Sequence, residues 1–150
     1  MARFWDWSLE VYARPGVAEA CLDLQDAHGQ SVPVLLWAAW AGIEGRALGD
    51  DALVEGIALA RGWEAMAVGP LRRIRRALRP SMPGIADPAR EALRLQVKAA
   101  ELDAERALME ALEALTPSGG GSSAGLERAS AAWGGTAPRA ALLDLMARLA

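Results

Sequence analysis

Cysteine occurs once in this 150-residue chain, at Cys21. A single thiol excludes an intramolecular disulfide and any multi-cysteine metal site. Its neighbours Ala20 and Leu22 place it in a core stretch, so Cys21 is expected to be a small buried residue and not a nucleophile. Histidine is as scarce. The lone His28 precedes Gly29, where a helix would stop, which suits a cap or surface position better than catalysis or metal binding. Lysine is also almost missing: Lys98 is the only one, so the cationic chemistry here is guanidinium chemistry.

Several chemical signatures are absent too. There is no Gly-rich phosphate loop after a strand, no HExxH and no GxSxG. Gly42, Gly45 and Gly49 in "AGIEGRALG" follow no strand, and close helix packing and chain reversal account for them. Asp23 with Asp26 reads as an exposed face, and Asp50 with Asp51 as a helix start. No catalytic residue, cofactor or metal is therefore expected. The longest uncharged run, "GQSVPVLLWAAWAGI" (29–43), is shorter than the ~20 residues that cross a bilayer. In "MARFWDWSLE", Asp6 and Glu10 interrupt any apolar stretch of secretory type. A cytoplasmic protein is the expectation.

What is present is helix-forming sequence. Apolar residues make up 53% and charged residues 23% of the chain, a globular balance. A net charge of −3 argues against a surface built wholly for nucleic acid. No stretch alternates apolar and polar residues as a half-buried strand would. The reading is a short aromatic helix over 3–13, a second to His28 with Pro15 in its first turn, and a third over about 32–47, capped by Ser31. This third helix is apolar on nearly every side, which marks a buried central element. A fourth opens at Asp50, and Gly69-Pro70 must kink or restart it. The segment "LRRIRRALR" follows as its own short helix, then a Pro-rich loop, then the longest helix, over about 88–115, opened by Asp87-Pro88. "TPSGGGSSAG" (116–125) reads as a flexible linker, and 126–150 as a short helical segment, docked or tethered. The fold class is thus all-α: one compact orthogonal bundle of five or six helices over 1–115, followed by the linker and the C-terminal segment.

Three blocks carry a family likeness: "FWDWSLEVYARPGVAEACLDLQDAHGQSVPVLLWAAWAG", "PLRRIRRALR" and "AAELDAER". In order and spacing they resemble an uncharacterised proteobacterial family of small helical proteins, known as a domain of unknown function. The likeness spans about 4–115. It implies a cytoplasmic, bacterial, all-helical protein and supplies no catalytic motif to carry over; the stretch after Thr116 lies outside it.

Two features invite a functional reading. The first is the row of five arginines, Arg72, Arg73, Arg75, Arg76 and Arg79. On a helical wheel Leu71, Ile74, Ala77 and Leu78 share one arc of about 120° and the arginines fill the rest. So many guanidinium groups need anions, and the long helix offers Glu91, Glu101 and Glu105 across a short loop. Antiparallel pairing would join Arg72, Arg75 and Arg79 to Glu91, Glu101 and Glu105 as structural ion pairs, leaving Arg73 and Arg76 for a partner. That partner would be a protein; RNA fits less well because no aromatics interleave with the arginines. The second feature is the set of tryptophans Trp5, Trp7, Trp37, Trp40 and Trp63 in the first 63 residues. They form an aromatic core or, alternatively, line a pocket for a small hydrophobic ligand. Trp5 and Trp7, about 200° apart on a helix, cannot both face inward, so one should be a contact residue. The function expected is a non-enzymatic, protein-binding or adaptor-type domain, with ligand binding at the tryptophans and RNA binding over 71–79 as alternatives. The sequence leaves the oligomeric state open.

Overall fold

Aromatic and aliphatic side chains at helical spacing close the N-terminal helices onto one another. In this computed structural model, residues 3–46, 48–118 and 125–150 are described. The elements are α1 (Phe4–Tyr12), α2 (Val17–His28), α3 (Val32–Ile43), α4 (Asp50–Trp63), a π-helical stretch (Glu64–Val68), α5 (Gly69–Ala77), α6 (Asp87–Ala114), α7 (Gly125–Trp133) and α8 (Arg139–Leu149). No strand occurs among the described residues.

α4, the π stretch and α5 follow one another without a break, so the described residues form seven helices where five or six were expected. Two features set this count. The segment after residue 125 divides into two helices at Gly134 and Gly135, whose φ of 100° and 92° lie in the left-handed region. Gly69-Pro70 does not restart the chain, which lowers the count by one. Proline removes an N–H and crowds the carbonyl four residues back. The chain answers by widening one turn, with the Gly69 N–H donating to the Glu64 carbonyl five residues earlier.

Contacts divide the chain into two compact units, Met1–Ala58 with Met109–Ala150, and Leu59–Leu108. The first unit is built around α3. Every residue from Val34 to Ala41 is buried, as the lack of a polar face requires. Ser31 caps it, its Oγ accepting from the Val34 N–H. The helix stops at Ile43, short of the expected 47. Gly45 turns left-handed at φ 66°, and the Arg46 N–H donates back to the Ala41 carbonyl. Phe4 stacks on Trp40 with ring centroids 5.3 Å apart. The Trp37 indole N–H donates to Thr116 Oγ1 at 2.8 Å. Gly56 lets α4 approach, since a Cβ there would lie 2.3 Å from the Trp37 ring. α7 packs on α3 and α8 on α2. The guanidinium of Arg14 closes the end of α8, donating to the Leu149 carbonyl at 3.0 Å, a cation at a helix C-terminus.

At three helix starts the structure refines the reading. Pro15 precedes α2, whose N-cap is Gly16 at φ 82°. α8 begins at Arg139, directly after Pro138. Asp50 begins α4, and its side chain pairs with Arg128. Of the expected linker, residues 119–124 lie outside the described residues, while Thr116 is buried, held by Trp37 and by its own bond to the Leu112 carbonyl.

Candidate functional site

The second unit is an antiparallel pairing of the π stretch and α5 with α6. On α6 the inward stripe runs Arg90, Arg94, Val97, Glu101, Ala104, Leu108, spaced four and three as a packed helix seam requires. The facing side of α5 is Leu71, Arg72, Arg75 and Leu78, half-buried, and no residue of α5 is fully buried. The simple amphipathic picture therefore fails in one respect: Ile74, on the apolar arc, is 49% exposed. Carboxylates on α6 draw Arg72 and Arg75 inward, and the helix turns its apolar arc partly to solvent to let them.

Glu101 is the centre of the seam. It is 6% exposed, which a carboxylate tolerates only when paired. Arg75 grips it with a two-point fork, Nε to Oε2 at 2.5 Å and Nη2 to Oε1 at 3.3 Å. Arg72 Nε donates to Oε1 at 3.3 Å. The same Arg72 donates through Nη1 to Glu64 at 3.1 Å and stands 3.9 Å from Glu105. The hydrogen bond that it donates to Glu101 holds the Arg75 guanidinium above its ordinary range. Glu105 moves the opposite way for a carboxylate, from 4.5 up to about 7. Burial raises it first and the neighbouring Glu101 next, against the pull of Arg72.

Along the seam the Trp63 indole N–H donates to the Ala104 carbonyl at 2.8 Å. At the far end Arg90 closes α5, its Nη1 donating to the carbonyls of Leu78 at 2.7 Å and Arg79 at 2.9 Å. The structure thus brings together Arg72, Arg75, Glu101 and Glu105. Glu91 is engaged elsewhere, with Arg94 at 2.6 Å and Arg90 at 4.0 Å, and this pairing holds it below the usual carboxylate range. Arg79 and Arg73 are exposed and enter no ion pair among the described residues. Arg76 is exposed as well, though not without a partner.

Two participants escape a reading from sequence. Glu64 joins because the π turn rotates it toward Arg72, eight residues ahead; the one visible signal is a proline inside a helical run. Arg90 caps the preceding helix across a loop, which no local pattern announces.

The tryptophans belong mainly to the first unit. Trp37 and Trp40 are fully buried, and Trp7 is nearly so, 6.4 Å from Phe4. Trp5 is half-buried. Arg46 lies over the Trp40 ring, 4.9 Å from its centroid, and donates to the Thr116 carbonyl at 2.7 Å. Cys21 is buried, and desolvation pushes its thiol to about 12, which keeps it protonated and inert. Among the described residues, no three His, Cys, Asp or Glu side chains could hold a metal ion. Nor is any helix there long and apolar enough to cross a membrane.

The three sequence blocks and this helical pairing fall within one family match. The model described as "Protein of unknown function (DUF2390)" fits residues 3–112. The chain belongs to that family. The DUF2390 stretch takes in the whole second unit and α1 to α3, and it ends before α7 and α8. No curated protein and no solved structure matches the chain.

Proposed function

We propose that this DUF2390 member is a non-enzymatic, protein-binding domain that presents the cationic side of α5 to an acidic partner. The observation that carries this reading is the division of labour among the arginines. Arg72 and Arg75 are taken up by Glu64 and Glu101, while Arg73 and Arg79 are exposed without an ion pair among the described residues. Exposed Ile74 lies between them and exposed Met82 follows. Guanidinium groups beside apolar side chains suit a protein interface, where arginine is enriched and can pair with carboxylates two-fold. A nucleic-acid partner fits less well, because no exposed aromatic side chain accompanies these arginines for base stacking.

The test is affinity capture with the intact chain and with the double variant Arg73→Glu/Arg79→Glu, followed by a direct titration of the captured protein. The reading expects binding to fall at least tenfold in the double variant with the melting temperature unchanged. Equal binding by both chains would refute it. Binding that survives in a nuclease-treated lysate separates a protein partner from RNA.

A further inference from the structure

The outer side of α6 follows a spacing rule of its own. Ala92, Leu95, Ala99 and Leu102 succeed one another at intervals of three, four and three residues. At about 100° per residue they fall within an arc of about 80°, on the other side of the helix from the inward seam. All four are exposed, Leu95 by 52% and Leu102 by 49%. A leucine standing singly on a surface is ordinary. Leucine returning after seven residues, with alanine at the places between, is the pattern of one helix packed along another. Arg106 takes the next place in the spacing and ends the stripe.

The charges that border the stripe point to what covers it. Glu91, Lys98 and Glu105 lie along one border, Gln96 and Asp103 along the other. Glu91 and Glu105 are turned toward Arg94 and Arg72 of their own chain. Lys98 and Asp103 are both exposed, and neither enters a hydrogen bond or ion pair among the described residues. Lys98 lends only a weak field at Glu91. These two charges are opposite in sign, stand on opposite borders and lie five residues apart. In two parallel helices paired in register, a residue on one border meets the residue five positions further on in the other helix. Lys98 of each copy then faces Asp103 of the other, twice over by symmetry. Antiparallel pairing brings like borders together and sets Lys98 near its own copy, so the charges choose the parallel arrangement.

We propose that the outer face of α6 is a self-association surface: a second copy of this chain lays its own α6 against it, parallel and in register. Leucine packs on leucine along the stripe, the alanines let the two backbones approach, and Lys98 pairs with Asp103 across both edges. This face is the one α5 leaves uncovered, so the inference stands apart from the partner reading above. Two leucines and two alanines from each copy make an interface at the weak end of the specific range. Dimer should therefore grow out of monomer as protein concentration rises.

Sedimentation equilibrium of the full chain tests this over about 10 µM to 1 mM. The wild type should pass from monomer toward dimer across that range. Leu95→Glu together with Leu102→Glu should abolish the dimer. Its melting temperature at the dilute end should stay that of the wild type, because neither leucine is buried. Lys98→Asp should weaken association at least roughly tenfold, and adding Asp103→Lys should restore it. Restoration by the second charge is a readout that a folding defect cannot mimic. A wild type that stays monomeric to the top of the range would overturn the proposal, as would association that survives the two glutamates. Association indifferent to Lys98→Asp would overturn it as well, since the parallel register requires that charge.

Discussion

In the first unit Phe4, Trp37 and Trp40 are shut away from solvent at the centre of the packing, whereas the centre of the second unit is a carboxylate, Glu101, gripped by two arginines. The contrast extends outward. Of the large hydrophobic side chains between 59 and 108, Val68 and Leu108 are buried, while Leu59, Met66, Ile74, Met82, Ile85, Leu93, Leu95 and Leu102 are exposed. Burial of apolar area supplies most folding free energy, at about 25 cal/mol per Å². The first unit therefore carries stability. Paired charges contribute little net free energy, because desolvation offsets attraction; what they supply is alignment. The second unit is a stretch of helix held in register more than it is held shut, and its apolar side chains remain available at the surface.

The largest effects should come from the first unit. Trp37→Ala removes a fully buried ring and the partner of Thr116, at a cost of about 3–5 kcal/mol, measurable by urea unfolding. Gly56→Ala forces a Cβ to within 2.3 Å of that ring and should cost about 1–3 kcal/mol. The two are coupled: in a Trp37→Ala background the Gly56→Ala penalty should shrink or vanish. Additive costs would mean that the close approach of α4 to Trp37 is not what requires glycine.

The next effect tests whether the seam is as separate as its chemistry. Glu101→Ala leaves two half-buried guanidinium groups without their common anion, for about 1.5–3 kcal/mol. Hydrogen exchange should show the loss across 69–77 and 90–105, with α1 and α3 protected as before. Loss spread evenly over the chain would dissolve the comparison. Replacing the ionic seam altogether, as Arg72→Leu, Arg75→Met and Glu101→Leu together, should be neutral or stabilising by about 1–3 kcal/mol. If the triple variant is instead badly destabilised, the arginines contribute free energy and not alignment alone.

How far the sequence revealed all this follows the same division. α3 was legible because no spacing rule is needed when nearly every face is apolar: Val34 to Ala41 had nowhere to go but inside. The stops at Gly29 and the cap at Ser31 were legible because each depends on one residue's own geometry. In the second unit, charge sign and loop length sufficed to bring Arg72 and Arg75 to Glu101. They did not suffice to choose among carboxylates, so Glu91 turned to Arg94, its neighbour three residues on in the same helix, where pairing requires no tertiary arrangement. Glu64 stayed hidden because its position depends on a π turn. The exposure of Ile74 stayed hidden because a helical wheel ranks faces by apolarity, and here ion pairing decided which face turned in.

The smallest effect is the most discriminating for function. Arg75→Glu puts a fourth carboxylate beside Glu64, Glu101 and Glu105, and should destabilise the second unit. Arg73→Glu and Arg79→Glu, only two and four residues away, should each change stability by no more than about 0.5 kcal/mol. Their side chains enter no ion pair among the described residues. The part of Arg79 that matters to the fold is its backbone carbonyl, which accepts from Arg90 whatever side chain it carries. Thermal melts of the three variants at one pH would rank them. If Arg73→Glu or Arg79→Glu destabilises as much as Arg75→Glu does, then all the arginines of α5 serve the fold, and a surface set aside for a partner has no cations left to offer.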